Sequence, residues 1–283
     1  MVTDLREGEF GSNPSYFTVL NNKLYFNALD GFDYDNGQHG TGGSPVLYDD
    51  LLIISCDGND IQYVVALDKL TGKVRWKKSR EGYQAYTTPL ILKLETGDQV
   101  ISPGAFRAVS YDPHNGKELW QVTYGEGFSN VPRPVYGDGL VFICTGFQQP
   151  SLLAVRIDGK GDVTKSKVAW KLDRGVPLTP SPLLVGNELY LVTDNGIATC
   201  VNAKTGMVHW THRMDGAFSA SPVAAEGRLY FQSEQGVGSV IKASKSFEAI
   251  AENDLKERTL ASCAVIEGGL LIRTESGIVR VKA

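Results

Sequence analysis

A short phrase that ends in tryptophan recurs along this chain and constrains its fold more than any other feature. The clearest copy, Ala-Leu-Asp-Lys-Leu-Thr-Gly-Lys-Val-Arg-Trp, occupies residues 66–76, and close copies occupy 110–120 and 200–210. A looser copy spans 154–170 and carries an insertion around 158–162. Repeats of about 45 residues that are built of short strands indicate a radial or solenoid β architecture.

Each repeat contains four short strand-like runs bounded by Gly, Asn and Asp, which predicts an antiparallel meander. The order seen in residues 41–81 begins again at Gly82, Phe128, Val176 and Ala217, and a sixth unit from residue 259 has three runs. We therefore predict an all-β, single-domain β-propeller over residues 1–283, in which 41–283 hold the repeats. Seven four-stranded blades are favoured, one of them atrophied, and six are the alternative.

Residues 1–40 are predicted to form a partial N-terminal blade or closure segment. Runs at 16–20 and 23–27 flank Asn21-Asn22 and predict a hairpin. Closure of the ring would need a fourth strand for the last unit, which residues 1–12 could provide, and closure removes exposed sheet edges.

Two further features repeat with the units. A proline recurs in each first strand, where a missing N–H is tolerable only outside the hydrogen-bonded ladder: Pro45, Pro89, Pro134, Pro182 and Pro222. A tryptophan closes four of the units and is predicted to dock structurally by covering the gap to the neighbouring sheet: Trp76, Trp120, Trp170 and Trp210.

The composition excludes several classes of function. The net charge of −4 leaves no basic field for nucleic acid, and no run of 18 apolar residues predicts a membrane-spanning helix. The first residues lack the apolar core of a signal peptide, so the sequence alone leaves the compartment unknown. The four cysteines are far apart and form no CxxC pair, which favours buried thiols over a metal site or disulfide.

Loops between second and third strands, and between consecutive blades, should gather on one face and bind a partner there. Aromatic and arginine side chains are enriched at such interfaces. The predicted partner-binding residues are Tyr83, Tyr86, Phe106, Arg107, Tyr124, Glu126, Phe128, Arg133, Phe147, Arg174, Asp194 and Phe218. Packing of these aromatics between blades is the alternative. Arg133 stands where other units have Ser or Thr, so it could bind an anion, although pairing with a neighbouring acid is favoured.

Other chemistry has little support in the sequence. Asp57, Asn59 and Asp60 form an oxygen-rich loop that is a weak candidate for Ca²⁺, because one loop rarely supplies six ligands and Asp-Gly-Asn is an ordinary turn. The histidines at 39, 114, 209 and 212 are not paired with a nucleophile, so no catalytic residue is predicted.

The repeated phrases resemble those of the pyrroloquinoline-quinone-type (PQQ-like, quinoprotein-like) β-propeller family. The motif Ala-x-Asp-x-x-Thr-Gly-x-x-x-Trp at 66–76 is similar to its tryptophan-docking signature, and the resemblance extends over about residues 41–283. Residues 11–15 and 22–26 also resemble a second, WD40-like bacterial propeller repeat.

The resemblance implies two kinds of function. Quinone-dependent dehydrogenases of the family hold the quinone under two adjacent cysteines beside Ca²⁺, whereas relatives of the BamB type are non-catalytic. This chain has no Cys-Cys pair. We therefore expect no cofactor and a non-enzymatic scaffold of the bacterial envelope, periplasmic or extracytoplasmic, that binds a protein or peptide. The alternatives are a quinone- or metal-dependent oxidoreductase with its site at the channel mouth, or a propeller fragment of a larger sensor or enzyme.

Overall fold

The computed structural model describes residues 42–59 and 61–282, together with the backbone of residues 14–20 and 23–28. Every regular element in this part of the chain is a β-strand. Across the described ranges, no helix has the length and apolar character that crossing a membrane requires. The chain divides into two compact units, unit 1 (Met1–Val131 with Gly159–Thr164) and unit 2 (Pro132–Asp158 with Lys165–Ala283).

Unit 1 contains the predicted hairpin and two larger sheets. The hairpin pairs β1 (Pro14–Leu20) with β2 (Lys23–Ala28), as expected from the Asn21-Asn22 turn. Sheet A has the order β3-β4-β5-β6, with bounds Val46–Tyr48, Leu51–Asp57, Gln62–Asp68 and Val74–Ser79. Sheet B has the order β14-β10-β9-β8-β7, with bounds for β7 to β10 of Leu90–Leu92, Gln99–Pro103, Arg107–Tyr111 and Glu118–Thr123, and Gly161–Asp162 for β14.

Unit 2 contains four sheets. Sheet C joins β11, β12, β13 and β15, at Val135–Gly137, Leu140–Cys144, Leu152–Arg156 and Val168–Leu172. Sheet D joins β16 to β19, at Leu183–Val185, Glu188–Val192, Ile197–Asn202 and Val208–Arg213. Sheet E joins β20 to β23, at Val223–Ala225, Arg228–Gln232, Val237–Lys242 and Ala249–Asp254. Sheet F joins β24 to β26, at Ala264–Ile266, Gly269–Arg273 and Ile278–Lys282.

The central strands of sheets B, C and D are buried on both faces over most of their length, which explains their nearly continuous apolar sequences. In β12 and β17 every residue is buried, and Leu189, Leu191 and Val201 of sheet D pack against Phe142 and Cys144 of sheet C. The hydrophobic core of unit 2 therefore consists of successive layers between sheets, each layer made by the facing sides of two consecutive meanders.

The tryptophans of the fourth strands connect one sheet to the next. The indole nitrogen of Trp76 donates to the Pro113 carbonyl at 2.7 Å, and that of Trp170 donates to the Ala203 carbonyl at 2.9 Å. Each ring lies against the glycine of the next Thr-Gly or Asn-Gly turn: a Cβ on Gly116 would meet the Trp76 ring at 2.6 Å, and one on Gly206 would meet the Trp170 ring at 2.8 Å. The motif thus requires glycine for close approach as well as for its positive φ.

Trp120 differs because the insertion of the third repeat takes the place of the turn. The inserted β14 pairs in parallel with β10, with Trp120 opposite Gly161, and adds a fifth strand to sheet B. The Trp120 indole instead donates to Gln99 Oε1 within its own sheet at 2.9 Å. Sheet B therefore departs from the four-stranded antiparallel pattern at this position.

The repeated prolines immediately precede the first strands, so they remove no hydrogen bond from a ladder. At four of the five prolines, the residue before the proline donates its N–H to the hydroxyl of the next repeat. In unit 2 this links Arg133 to Ser181, Ser181 to Ser221, and Ser221 to Ser262, each at 2.9 Å. In unit 1 the Ser44 N–H donates to Thr88 Oγ1, also at 2.9 Å. The Ser-Pro and Thr-Pro pairs thus connect neighbouring sheets. The proposed closure strand within residues 1–12 lies outside the described residues.

Candidate functional site

Three aromatic side chains lie on neighbouring loops of unit 1. Tyr83 follows sheet A, Phe106 lies between β8 and β9, and Phe128 follows β10. The rings of Tyr83 and Phe128 meet edge-to-face, with centroids 5.4 Å apart. The Phe106 N–H donates to the Gly127 carbonyl at 2.6 Å, which holds its loop beside that of Phe128. Tyr83 and Phe106 each expose 39% of their surface. We call Tyr83, Phe106 and Phe128 the aromatic loop cluster.

Phe106 adopts a backbone conformation that is unfavourable for a bulky side chain. Its φ is +69°, in the left-handed region, where a Cβ collides with the following carbonyl. The Tyr124 N–H donates to the Phe106 carbonyl at 2.9 Å, so both polar groups of its backbone are bonded to the loop of residues 124–128. The surrounding structure therefore fixes this strained residue with its ring partly exposed, an arrangement that occurs at functional sites.

A buried ion pair supports these loops. Arg80 follows β6 and Asp57 ends β4, and each side chain exposes only 2% of its surface. The contact is bidentate: Arg80 Nε donates to Asp57 Oδ1 at 2.7 Å, and Nη2 donates to Oδ2. Nη1 donates to the Ser102 carbonyl at 3.1 Å and to its hydroxyl at 3.0 Å, which connects sheet A to sheet B. Burial alone would lower the pKa of Arg80, but the Asp57 carboxylate outweighs it and raises that pKa.

Tyr124 joins the ion pair to the aromatic loop cluster. Its hydroxyl donates to the Gly104 carbonyl and accepts from Asn130 Nδ2 at 3.2 Å. Gly104 lies against the Arg80 guanidinium, where a Cβ would be 2.9 Å from Cζ. Burial raises the pKa of Tyr124, so the phenol stays protonated. Tyr124 is buried, which corrects its prediction as a partner-binding residue: it packs beneath the loops.

The structure also corrects the metal prediction for Asp57. Both carboxylate oxygens are engaged by Arg80, so they are not available as Ca²⁺ ligands. Asn59 is half-buried, and Asp60 lies outside the described residues. Within the ranges that the structure describes, no three His, Cys, Asp or Glu side chains are grouped so as to hold a metal ion.

The remaining predicted residues of unit 1 surround the cluster. The Tyr86 N–H donates to the Asn130 carbonyl at 2.8 Å, and its half-buried side chain contacts Gly42. Arg107 donates to Gln121 Oε1 at 2.9 Å and is half-buried, whereas Glu126 is exposed. An acidic side chain therefore accompanies the exposed rings.

The predicted residues of unit 2 do not form a comparable cluster. Phe147 exposes 52% of its surface, and Arg174 is exposed. Phe218 is 1% exposed within the core between sheets D and E, so its prediction as a binding residue is wrong. Asp194 Oδ2 accepts the Leu178 N–H at 2.8 Å, so this carboxylate connects two loops of unit 2. Arg133 is exposed, and its backbone N–H donates to the Ser181 hydroxyl at 2.9 Å.

The adjacent cysteines that the resemblance associates with a quinone site have no counterpart in this chain. Cys144, Cys200 and Cys263 are buried and Cys56 is half-buried, and no two cysteines are adjacent or joined in a disulfide. Burial raises the pKa of Cys200 to about 11, and Asp194 adds to the effect of burial in raising that of Cys144. The raised pKa values keep the Cys144 and Cys200 thiols protonated.

Sequence reasoning missed Arg80 and an open cavity in unit 2. Arg80 appears as one of many basic residues beside a turn, and only the fold reveals its burial. The cavity, about 350 Å³, lies among exposed loops and is lined by Arg258, Arg273 and Glu275, with Leu260 and Ala261 beside them. No periodic pattern marks these residues, because most of them come from connections between strands and Arg273 ends β25.

The comparisons with known proteins identify the family. The sequence profile described as "Outer membrane protein assembly factor BamB" matches residues 35–169 and 155–246, which together cover most of the chain. The chain therefore belongs to this PQQ-like, BamB-like repeat family, and its fold is that of a β-propeller. The number of blades remains a prediction.

Solved structures and a curated relative extend the comparison. The structure is similar to BamB from Moraxella catarrhalis, with a TM-score of 0.51 and 17% identity over 84% of each chain. It is also similar to quinohemoprotein alcohol dehydrogenase from Comamonas testosteroni, with a TM-score of 0.57 and 14% identity over 86% of this chain and 46% of that one. A 64-residue segment is 33% identical to polyvinylalcohol dehydrogenase of Sphingopyxis sp. (strain 113P3) and covers 23% of this chain. That segment spans 10% of the dehydrogenase.

Proposed function

We propose that this protein is a non-enzymatic scaffold of the bacterial envelope that binds a protein or peptide through the loops of unit 1. The observation that carries the proposal is the aromatic loop cluster, in which Tyr83 and Phe106 each expose 39% of their surface on loops fixed by backbone hydrogen bonds. Exposed aromatic residues held in one conformation are favourable anchors for a partner, because little side-chain entropy is lost on binding.

The support beneath the cluster strengthens the proposal. The ion pair of Arg80 with Asp57 fixes the ends of sheet A, and Tyr124 connects it to the loops that carry Phe106 and Phe128. A rigid surface of this kind suits recognition without chemistry. Membership of a family described by outer-membrane assembly supports the envelope location and a protein partner. We also propose that residues 1–283 form one propeller domain.

The proposal is tested by affinity capture from an envelope extract with three forms of the protein. In the test variant, Tyr83→Ala is combined with Phe106→Gly, because glycine accepts the left-handed backbone and keeps the loop conformation. The control variant is Met207→Ser, which removes an equally apolar side chain that is 59% exposed on a turn of unit 2. We expect the wild type and the control to capture the same partner.

We expect the test variant to capture at least tenfold less of that partner, as is typical when a central interface residue is removed. Equal capture by all three forms would contradict binding through this cluster. If no form captures a protein, titration with pyrroloquinoline quinone and Ca²⁺ would test the oxidoreductase alternative. A rise in melting temperature with both together would then favour that alternative.

A further inference from the structure

A second cavity of unit 2 lies between sheets E and F and is partly open to solvent. Its volume is about 70 Å³, and twelve residues line it, none of them charged. Apolar side chains form most of the wall, among them Tyr230, Val240, Leu270 and Ile272. Gln232 is the most deeply buried polar side chain on the wall, with 4% of its surface exposed. Such a wall suits an uncharged ligand with an apolar body.

The cavity exists because this sheet interface departs from the repeat. In sheet D, Tyr190 pairs with Cys200 and Cys200 pairs with Trp210, whose indole packs in the core between sheets D and E. The same register in sheet E runs from Tyr230 through Val240 to Ala251. The residue at the tryptophan position is therefore alanine.

Three more positions of this interface carry different side chains. The Phe218 N–H donates to the Asp194 carbonyl, and the corresponding bond of the next repeat is made by Thr259 to Glu234. Ile272 stands where the preceding interface has Phe231, and Gly238 where it has Ala198. Phenylalanine is thus replaced twice by a smaller residue, and alanine once by glycine. Together with the missing indole, these differences explain why the space is not filled.

Gln232 adds a directional group to the apolar space. The equivalent residue in sheet D is Val192, so an amide replaces a branched alkyl group inside a core layer. Its Nε2 is buried and has no hydrogen-bond acceptor among the described residues. An unmatched buried donor costs about 1–3 kcal/mol, so a group that supplies an acceptor gains affinity there.

We propose that this cavity binds a small uncharged molecule whose apolar body fills the space between sheets E and F and whose carbonyl or ether oxygen accepts from Gln232 Nε2. The site is separate from the aromatic loop cluster, since every residue that lines it belongs to unit 2. Cys263 also lines the cavity as a buried free thiol, so ligand binding protects it from alkylation.

The test compares cyclopentanone with cyclopentane, two probes of similar shape that differ in the carbonyl oxygen. Binding is followed by the NMR shifts of the Leu270 and Ile272 methyl groups and by the rate of Cys263 alkylation. That rate is measured on the proteolytic peptide that contains Cys263, after labelling of the intact protein. We expect saturable shifts with both probes in the wild type and about fivefold tighter binding of cyclopentanone, equivalent to one hydrogen bond.

Two control variants introduce the residues that stand at the equivalent positions of the interface between sheets D and E. Gln232→Val should keep cyclopentane binding and abolish the preference for cyclopentanone. The triple variant Gln232→Val, Gly238→Ala, Ile272→Phe rebuilds the filled interface and should bind neither probe. The proposal is overturned if the wild-type methyl shifts do not saturate with either probe, as for a cavity that holds only water, or if the triple variant binds as tightly as the wild type. Equal affinity of the two probes for the wild type would refute the role of Gln232.

Discussion

The buried ion pair between Arg80 and Asp57 gives the sharpest prediction about stability. Each side chain exposes 2% of its surface, and the guanidinium makes two bonds to the carboxylate and two to Ser102. Replacing Arg80 by leucine leaves Asp57 buried without its cation. Loss of one partner of a buried pair costs about 3–5 kcal/mol, a large share of the stability of an ordinary protein.

The measurement is urea-induced unfolding of four forms: the wild type, Arg80→Leu, Asp57→Leu and the double variant. We expect each single variant to lower the free energy of unfolding by about 3–5 kcal/mol. The double variant should lose clearly less than the sum, because it leaves no unpaired charge in the interior. Lys93→Leu is the matched control, since its ion pair with Asp49 is exposed and should contribute far less.

Two results would refute this reasoning. A loss below about 1 kcal/mol for Arg80→Leu would mean that water or a rearranged loop replaces the cation at low cost. Additive losses in the double variant would mean that the two side chains act independently, and the bidentate geometry would then carry no coupling energy. Partner capture by Arg80→Leu is a second measurement. We expect weaker capture, because loosened loops should weaken binding even while all three rings of the aromatic loop cluster remain.

Three further predictions concern stability. Gly206→Ala should destabilise by about 1–3 kcal/mol more than Gly186→Ala, because both glycines have positive φ but only the former faces the Trp170 ring; thermal unfolding of the two variants measures the difference. The hydrogen bond from Tyr48 lowers the pKa of Asp98, so its stabilising effect is present above the ordinary value of 3.8 and is lost as pH falls through the lower, folded-state pKa. Unfolding of Tyr48→Phe should therefore depend less on pH in that acidic range, and an unchanged slope would contradict this. If residues 1–283 form one domain, calorimetry should show a single transition whose calorimetric and van't Hoff enthalpies agree.

The repeat explains why much of the fold could be predicted from the sequence. Turn residues and short apolar runs mark most strands, and Gly116 and Gly206 stand where the docked indoles need space. These features are local, so a single repeat contains the information for its own meander. The insertion that becomes β14 breaks the pattern, because its partner β10 belongs to the preceding sheet and no local signal reveals that pairing.

The candidate site was less predictable because it depends on burial and on backbone conformation. Phe106 and Tyr124 are both aromatic loop residues, yet one exposes its ring and the other is buried over the ion pair. Arg80 has no sequence signature, since a buried arginine becomes recognisable only when Asp57 and Ser102 are seen around it. Residue type was therefore a guide to the loops but could not separate contact residues from packing residues.

The departures from the repeat are as informative as the repeat itself. A docking tryptophan can be replaced by alanine only if the neighbouring core tolerates the lost contacts, and cavities in closely packed interiors are costly. No larger neighbouring side chain compensates for Ala251. Thr259, Gly238 and Ile272 are also smaller than the residues at the equivalent positions of the interface between sheets D and E. One random substitution would leave one gap, whereas four changes along the same interface enlarge a single space, into which Gln232 brings an unmatched donor. Packing alone does not explain that combination, whereas the binding of a small molecule explains it.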